Sequence, residues 1–390
     1  MAGYFQNCIS KRPGRDLIEK PQQSILTLST YLKLALFFTG TLVATIIFIL
    51  VLLEFSKTLG IRGKNNTEKR WNQNVKPSIG GIAIFLSVFI SIITYLVSHP
   101  NENVFSNSSF IYFFLGMCLA FFMGLTDDAF DTKPLMKLGS QIMCGVLVVA
   151  SNNVIPVSGF FEINALFTVF WTVGVMNSLN MLDNMDGITA SVSIAIFIQF
   201  MVINLWFCCN VLDVYVFILI GFIGSVLGFL TYNKPPSKLF MGDSGSQLIG
   251  YTVAFFSVYL LWDFKGVSEI PFWLSTLMLM MILAVPFVDT FTVVFNRIKR
   301  GVSPAKGGKD HTTHHLFYAG FSEVQVWITF SLISIVLGGF GIVMLYLYNL
   351  GVNYWILPLI TPQLVTFYFL FRLTHVVKSP TPNSKSTSNS

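Results

Sequence analysis

Charged side chains make up only 11% of this 390-residue chain, and just 18 of its residues are Asp or Glu. With 54% hydrophobic residues and a mean hydropathy of +0.69, that scarcity excludes an ordinary soluble globular domain. Cysteine is scarce too. Cys8, Cys118, Cys144, Cys208 and Cys209 are odd in number, show no CxxC spacing, and mostly fall in apolar stretches. They read as inert, small apolar side chains and not as a disulfide framework or a metal centre. No internal repeat or second soluble domain is visible, and no nucleic-acid partner is expected.

What the chain does have is apolar runs of the ~20 residues needed to cross a hydrocarbon core. They cover 31–54, 79–98, 110–126, 138–156, 164–182, 188–208, 214–232, 244–262, 271–295, 324–347 and 352–372. Only helices can satisfy the backbone of such segments in lipid. The expected fold is therefore all-α, a polytopic integral membrane protein of about eleven transmembrane helices. A polar N-terminal tail at 1–30 precedes a transmembrane domain at 31–372, and a disordered polar tail follows at 373–390. The first run reads as a permanent anchor because it is too long for a signal peptide and no cleavage site follows. In 214–232, Gly224 and Gly228 form a GxxxG pattern that lets a neighbouring helix approach closely.

Cations orient the bundle. Lys57, Arg62, Lys64, Lys69, Arg70 and Lys76 follow the first run, Lys133 and Lys137 the third, Lys234 and Lys238 the seventh, and Arg297, Lys299, Arg300, Lys306 and Lys309 the ninth. Loops of the opposite parity hold only Lys265. The positive-inside rule puts the crowded side in the cytoplasm. Lys11, Arg12, Arg15, Lys20 and Lys33 fall against the rule in this count.

The scarce polar residues gather on that same side. "GLTDDAFDTK" closes the third run, "NSLNMLDNMDG" the fifth, "NKPPSKLFMGDSGS" joins the seventh and eighth, and "GVSPAKGGKDHTTHHL" follows the ninth. On a helical continuation Asp131 crowds Asp127 and Asp128, and like charges that close need a metal or a lysine such as Lys133. Asn177, Asn180, Asp183 and Asp186 step by three, so the set drifts around a helix, which is expected to unwind near Asn184 and Gly187. Gly242 and Gly245 let the backbone around Asp243 approach a ligand, and the amides that open the eighth run favour an anion. His311, His314 and His315 would share a helical face; beside Lys306 and Lys309 they suit a phosphate better than zinc. Carboxylates, oxygen-rich turns and cations together point to Mg²⁺ with a diphosphate.

In their order along roughly residues 35–320, "KPSIGGIAIF", "DDAFD", "NSLNMLDNMDG", "FMGDSGS", "VPFVDT" and the histidine loop resemble the polyprenyl-phosphate N-acetylhexosamine-1-phosphate transferases. The branch using UDP-N-acetylglucosamine is the most similar. The resemblance implies a multi-pass enzyme of the bacterial inner membrane with a cytoplasmic active site. It would move a sugar-1-phosphate from a UDP-sugar to undecaprenyl phosphate, release UMP and so initiate a cell-envelope polysaccharide. It also implies residue roles. Asp127 and Asp128 hold or deprotonate the lipid phosphate, and Asp183 joins them in catalysis. Asp243 is the main Mg²⁺ ligand with Asp183 beside it, and Mn²⁺ is a substitute. Asn177, Asn180 and Asp186 order the nucleotide, Asn233 and Phe240 contact uracil, and His311, His314 and His315 meet the sugar diphosphate. A homodimer is compatible with this reading. The rival is a cation- or proton-coupled transporter, which would carry its acids near mid-span; only Asp289 lies well within a run.

Overall fold

The computed structural model describes residues 28–58, 76–208, 213–262, 270–304 and 307–377. Among them the regular structure is helical, with one isolated parallel bridge between Ser78 and Phe240. In chain order the helices are α1 (Leu28–Thr58), α2 (Gly80–Ser98), α3 (Ser108–Phe130), α4 (Pro134–Ala150), α5 (Phe161–Leu182), α6 (Ile188–Cys208) and α7 (Val214–Asn233). They continue with α8 (Gly242–Leu261), α9 (Phe272–Ile282), α10 (Ala284–Lys299), α11 (Thr312–Tyr318), α12 (Glu323–Asn349) and α13 (Thr361–Val376).

Each expected apolar run corresponds to a helix or a helix pair, and the chain is a multi-pass membrane protein. Among the described residues, nine helical segments are long and apolar enough to cross a bilayer. Two runs depart from the expected simple spans. α4 is a shorter apolar helix of 17 residues. The run at 271–295 breaks into α9 and α10, which meet at Leu283 with a bend of 78°. Pro286 accounts for the break: it has no N–H for the Ile282 carbonyl, and its ring would clash there if the helix ran straight. The tails at 1–30 and 373–390 lie mostly outside the described residues, as do Arg62, Lys64, Lys69, Arg70, Lys265 and Lys306.

α8 is the axis of the bundle, with 94% of its most apolar stretch buried against 17% for α1. α2, α3, α5 and α6 pack around it. The GxxxG expectation is met where α7 lies on α1. A Cβ at Gly224 would fall 2.2 Å from Thr41 Oγ1, and one at Gly228 2.8 Å from the Leu42 carbonyl. Those contacts hold the two backbones too close for any side chain.

Candidate active site at one end of the bundle

The four polar segments converge. The end of α3, the start of α4, the α5–α6 junction, the start of α8 and the bent α10 enclose a cavity of about 1340 Å³. Asp127, Asp128, Asn177, Asn180, Asp183, Asp186, Asn233, Phe240, Asp243 and His311 all line it.

Its centre is a lysine between two carboxylates. Lys137 Nζ lies 2.9 Å from Asp127 Oδ2 and 2.9 Å from Asp243 Oδ2. Asp127 Oδ1 also accepts from the Thr132 amide at 2.9 Å and its hydroxyl at 2.6 Å. Asp243 Oδ1 accepts from Asn180 Nδ2 at 2.7 Å. The expected counter-charge was Lys133, but that residue precedes Pro134 and is held extended with ψ 140, the conformation a following proline imposes. One turn later, Lys137 faces back to α3 and α8.

Asp128 serves the backbone. Its two oxygens accept from the Asp243 and Ser244 amides, each at 2.9 Å, and so cap the start of α8. Gly242 makes this approach by taking φ +78, and a Cβ there would meet the Asp128 carboxylate at 2.6 Å. The helical face expected to join Asp131 to Asp127 or Asp128 is not formed. α3 stops at Phe130, and Asp131 turns left-handed at φ 50 so that the chain can enter α4 at Pro134.

α5 ends at Leu182 and α6 starts at Ile188, so the helix unwinds where the three-residue stepping predicts. Gly187 at φ +77 makes the turn, and its amide donates to Asn233 Oδ1 at 3.0 Å. Asp186 accepts from the Ser237 amide at 2.9 Å and pairs with Lys76 at 3.3 Å. Lys76 Nζ lies 5.3 Å from the centroid of Phe240, whose backbone bonds to Pro77 and Gly80. Asn177 exchanges amide hydrogen bonds with Gln141, which also donates to Gln247.

The histidines separate. His311 precedes α11 and reaches the cavity, with Nδ1 2.8 Å from Asp289 Oδ2. His314 turns inward; its Nδ1 accepts from the His311 amide at 3.4 Å. Burial, reinforced by His311, pushes the His314 pKa down to about 3. His315 Nδ1 reaches the Val377 carbonyl at 2.7 Å, beyond the end of α13. The shared face expected of all three fails because His311 is the extended N-cap residue, with φ -74 and ψ 158, and not part of the helix. Beside it Arg297, another cavity residue, grips Asp310 with two nitrogens, at 2.6 and 3.0 Å. Burial alone would raise Asp310, but the bonds and charge of Arg297 hold it at about 2. Lys76, Lys137, Gln141 and Arg297 were not among the expected site residues. The cationic loops were a signal for Lys76, Lys137 and Arg297 but not for Gln141, and the contacts of Lys76 with Asp186, Lys137 with Asp243 and Gln141 with Gln247 join residues remote in sequence.

The donor set fits a hard cation. Among the described residues no three His, Cys, Asp or Glu converge as a metal cage. Mg²⁺ needs no such cage, since one or two carboxylates with substrate phosphates suffice. Asp127 and Asp243 already converge on the Lys137 ammonium. Asp183, the expected second ligand, caps α5 and lines the same cavity.

Residues 110–261 match the family model described as glycosyl transferase family 4. The chain is 26% identical over 340 residues to an undecaprenyl-phosphate alpha-N-acetylglucosaminyl 1-phosphate transferase of Escherichia coli O157:H7, covering 83% of this chain and 85% of the relative. It is 27% identical over 315 residues to the protein of the same name from Salmonella typhi, covering 76% and 80%. A Bacillus subtilis (strain 168) protein named "probable undecaprenyl-phosphate N-acetylglucosaminyl 1-phosphate transferase" is 26% identical over 266 residues, covering 66% and 70%. The resemblance read from the ordered motifs therefore extends over most of the chain, and residues 110–261 are the part that is similar to glycosyl transferase family 4.

Proposed function

We propose that the protein transfers N-acetylglucosamine-1-phosphate from UDP-N-acetylglucosamine to undecaprenyl phosphate and releases UMP. The names of its relatives support the substrates. The observation that carries the reading is that one cavity joins a polar floor to an apolar wall. Asp127, Asp243, Asn180 and Lys137 form the floor; Leu138, Phe170, Trp171, Phe287 and Val294 line the side between α4, α5 and α10. A bilayer-borne phosphate can enter along that wall and meet a water-soluble nucleotide.

An ionised oxygen of the lipid phosphate attacks the β-phosphorus of the UDP-sugar. The bond from that phosphorus to the bridging oxygen breaks, and UMP leaves with the bond electrons. A phosphomonoester has its second pKa near ~6, so no dedicated base is required. Transfer of this kind depends on positioning and charge neutralisation. Lys137 supplies a cation at the reacting phosphates, Asp128 fixes the amides that open α8, Asn233 and Phe240 receive the uracil, and His311 faces the sugar diphosphate. A Mg²⁺ or Mn²⁺ held by Asp243 with Asp127 or Asp183 would add further neutralisation of the diphosphate oxygens. The cation-rich cavity end is assigned to the cytoplasm of a bacterial inner membrane. The transporter reading gains nothing, because these carboxylates gather at one end of the bundle.

The test is UMP release by detergent-solubilised protein given a panel of UDP-sugars, undecaprenyl phosphate and Mg²⁺. UMP should form only when lipid and nucleotide are both present, and fastest with UDP-N-acetylglucosamine. No UMP from any UDP-sugar would overturn the proposal.

A further inference from the structure

His311 is the histidine that reaches the cavity, and a buried carboxylate determines how. Asp289 lies in α10, three residues beyond the proline that bends the α9–α10 pair, and is 0% exposed. Its Oδ2 lies 2.8 Å from His311 Nδ1. Its Oδ1 accepts from the Thr312 amide at 2.8 Å and from the Thr312 hydroxyl at 2.6 Å. The bend thus brings a carboxylate from a membrane helix to the N-terminus of α11. An ionised carboxylate only accepts hydrogen bonds, so Nδ1 is the donor and Nε2 is the ring nitrogen left for the cavity. Thr313 secures the other side of the loop by donating to Asn184 Oδ1 at 2.7 Å, at the unwound end of α5. His314 and His315 have their Nδ1 atoms engaged elsewhere and cannot take the place of His311.

We propose that Asp289 is a positioning residue, which holds His311 as the Nδ1–H tautomer and presents the Nε2 lone pair, a hydrogen-bond acceptor, to a donor group on the sugar nucleotide. The assignment of the nucleotide rests on the transfer reading; the tautomer does not. Groups that orient a metal-binding imidazole from behind typically matter by about tenfold to a hundredfold, and an effect on that order is expected for His311.

The experiment uses the full chain in detergent. Asp289→Asn should lower kcat/KM for the UDP-sugar about tenfold to a hundredfold, with little change in KM for polyprenyl phosphate. In a His311→Ala background the same substitution should cost less than about twofold, since the residue it orients is gone. His311→Gln, whose amide reaches the position of Nε2, should retain more activity than His311→Asn, whose amide stands nearer Nδ1. That order decides the matter if Asp289→Asn does not fold. An equal loss from Asp289→Asn in both backgrounds, or His311→Asn exceeding His311→Gln, would overturn the proposal. ¹⁵N-histidine spectra, with His311 assigned by its loss in His311→Gln, give a readout independent of activity. An Nδ1–H signal is expected, and an Nε2–H tautomer overturns the proposal. Wild-type protein that makes no UMP would instead refute the transfer reading, while the spectra still decide the tautomer.

Discussion

Lys137 makes equal 2.9 Å contacts with Asp127 and Asp243, so removing its charge leaves two carboxylates facing one another. Lys137→Met should lower turnover by about 10²–10³, the usual cost of losing one preorganised electrostatic group. It should also steepen the dependence on divalent metal, as measured by titrating Mg²⁺ against UMP release. Asp243→Ala should abolish turnover at any metal concentration, whereas Asp183→Asn should leave weak activity with a raised metal requirement. Asp128→Asn should lose both turnover and stability, the latter by about 1 kcal/mol as for other helix caps, because its oxygens bind the first amides of α8. Paired Asp residues, Asn at three-residue steps and a Gly-flanked Asp were all legible in the sequence. Lys137 was not singled out, since its partner Asp243 lies 106 residues away and no local pattern records that approach.

The α9–α10 pair shows where helix-level reading succeeded and where it stopped. Composition located an apolar run at 271–295, but Pro286 turned it through 78° and brought Asp289 to the histidine loop. The same loop sets an acid limit on the fold. His314 in the folded protein has a pKa of about 3 against an ordinary 6.5. Between those values the unfolded chain binds more protons, so stability is lost as the pH falls from about 6.5 toward about 3. Asp310, held at about 2 against an ordinary 3.8, adds its loss only below the latter value. Thermal midpoints measured from pH 7.5 down to 4.5 should therefore fall, and His314→Asn should flatten that decline. The shared face expected for His311, His314 and His315 failed because the spacing rule assumes helix throughout. The N-cap position of His311 turned its ring to α10 instead.

Charge asymmetry organises the molecule: Lys76, Lys137, Lys238, Arg297 and Arg300 attend the cavity end, while Glu102 and Asp213 lie at the other. In a cysteine-free background, Gly307→Cys should react with an impermeant thiol reagent only from the cytoplasmic side, and Asn101→Cys only from outside. Labelling of position 307 from outside in intact cells would reverse the assigned orientation. The bundle as a whole was legible, because long apolar runs in a bilayer admit little but helix. The central position of α8 was not, since hydropathy counts apolar side chains and does not see which neighbours surround them. The transfer reaction is tested most directly by where the β-phosphate goes. Protein in detergent would be given UDP-N-acetylglucosamine carrying ³²P at the β-position, undecaprenyl phosphate and Mg²⁺, and then extracted with organic solvent. Label should pass into the lipid phase in step with UMP formation and be absent with Asp243→Ala. Label that stays wholly in the aqueous phase, or passes equally with Asp243→Ala, would contradict the account.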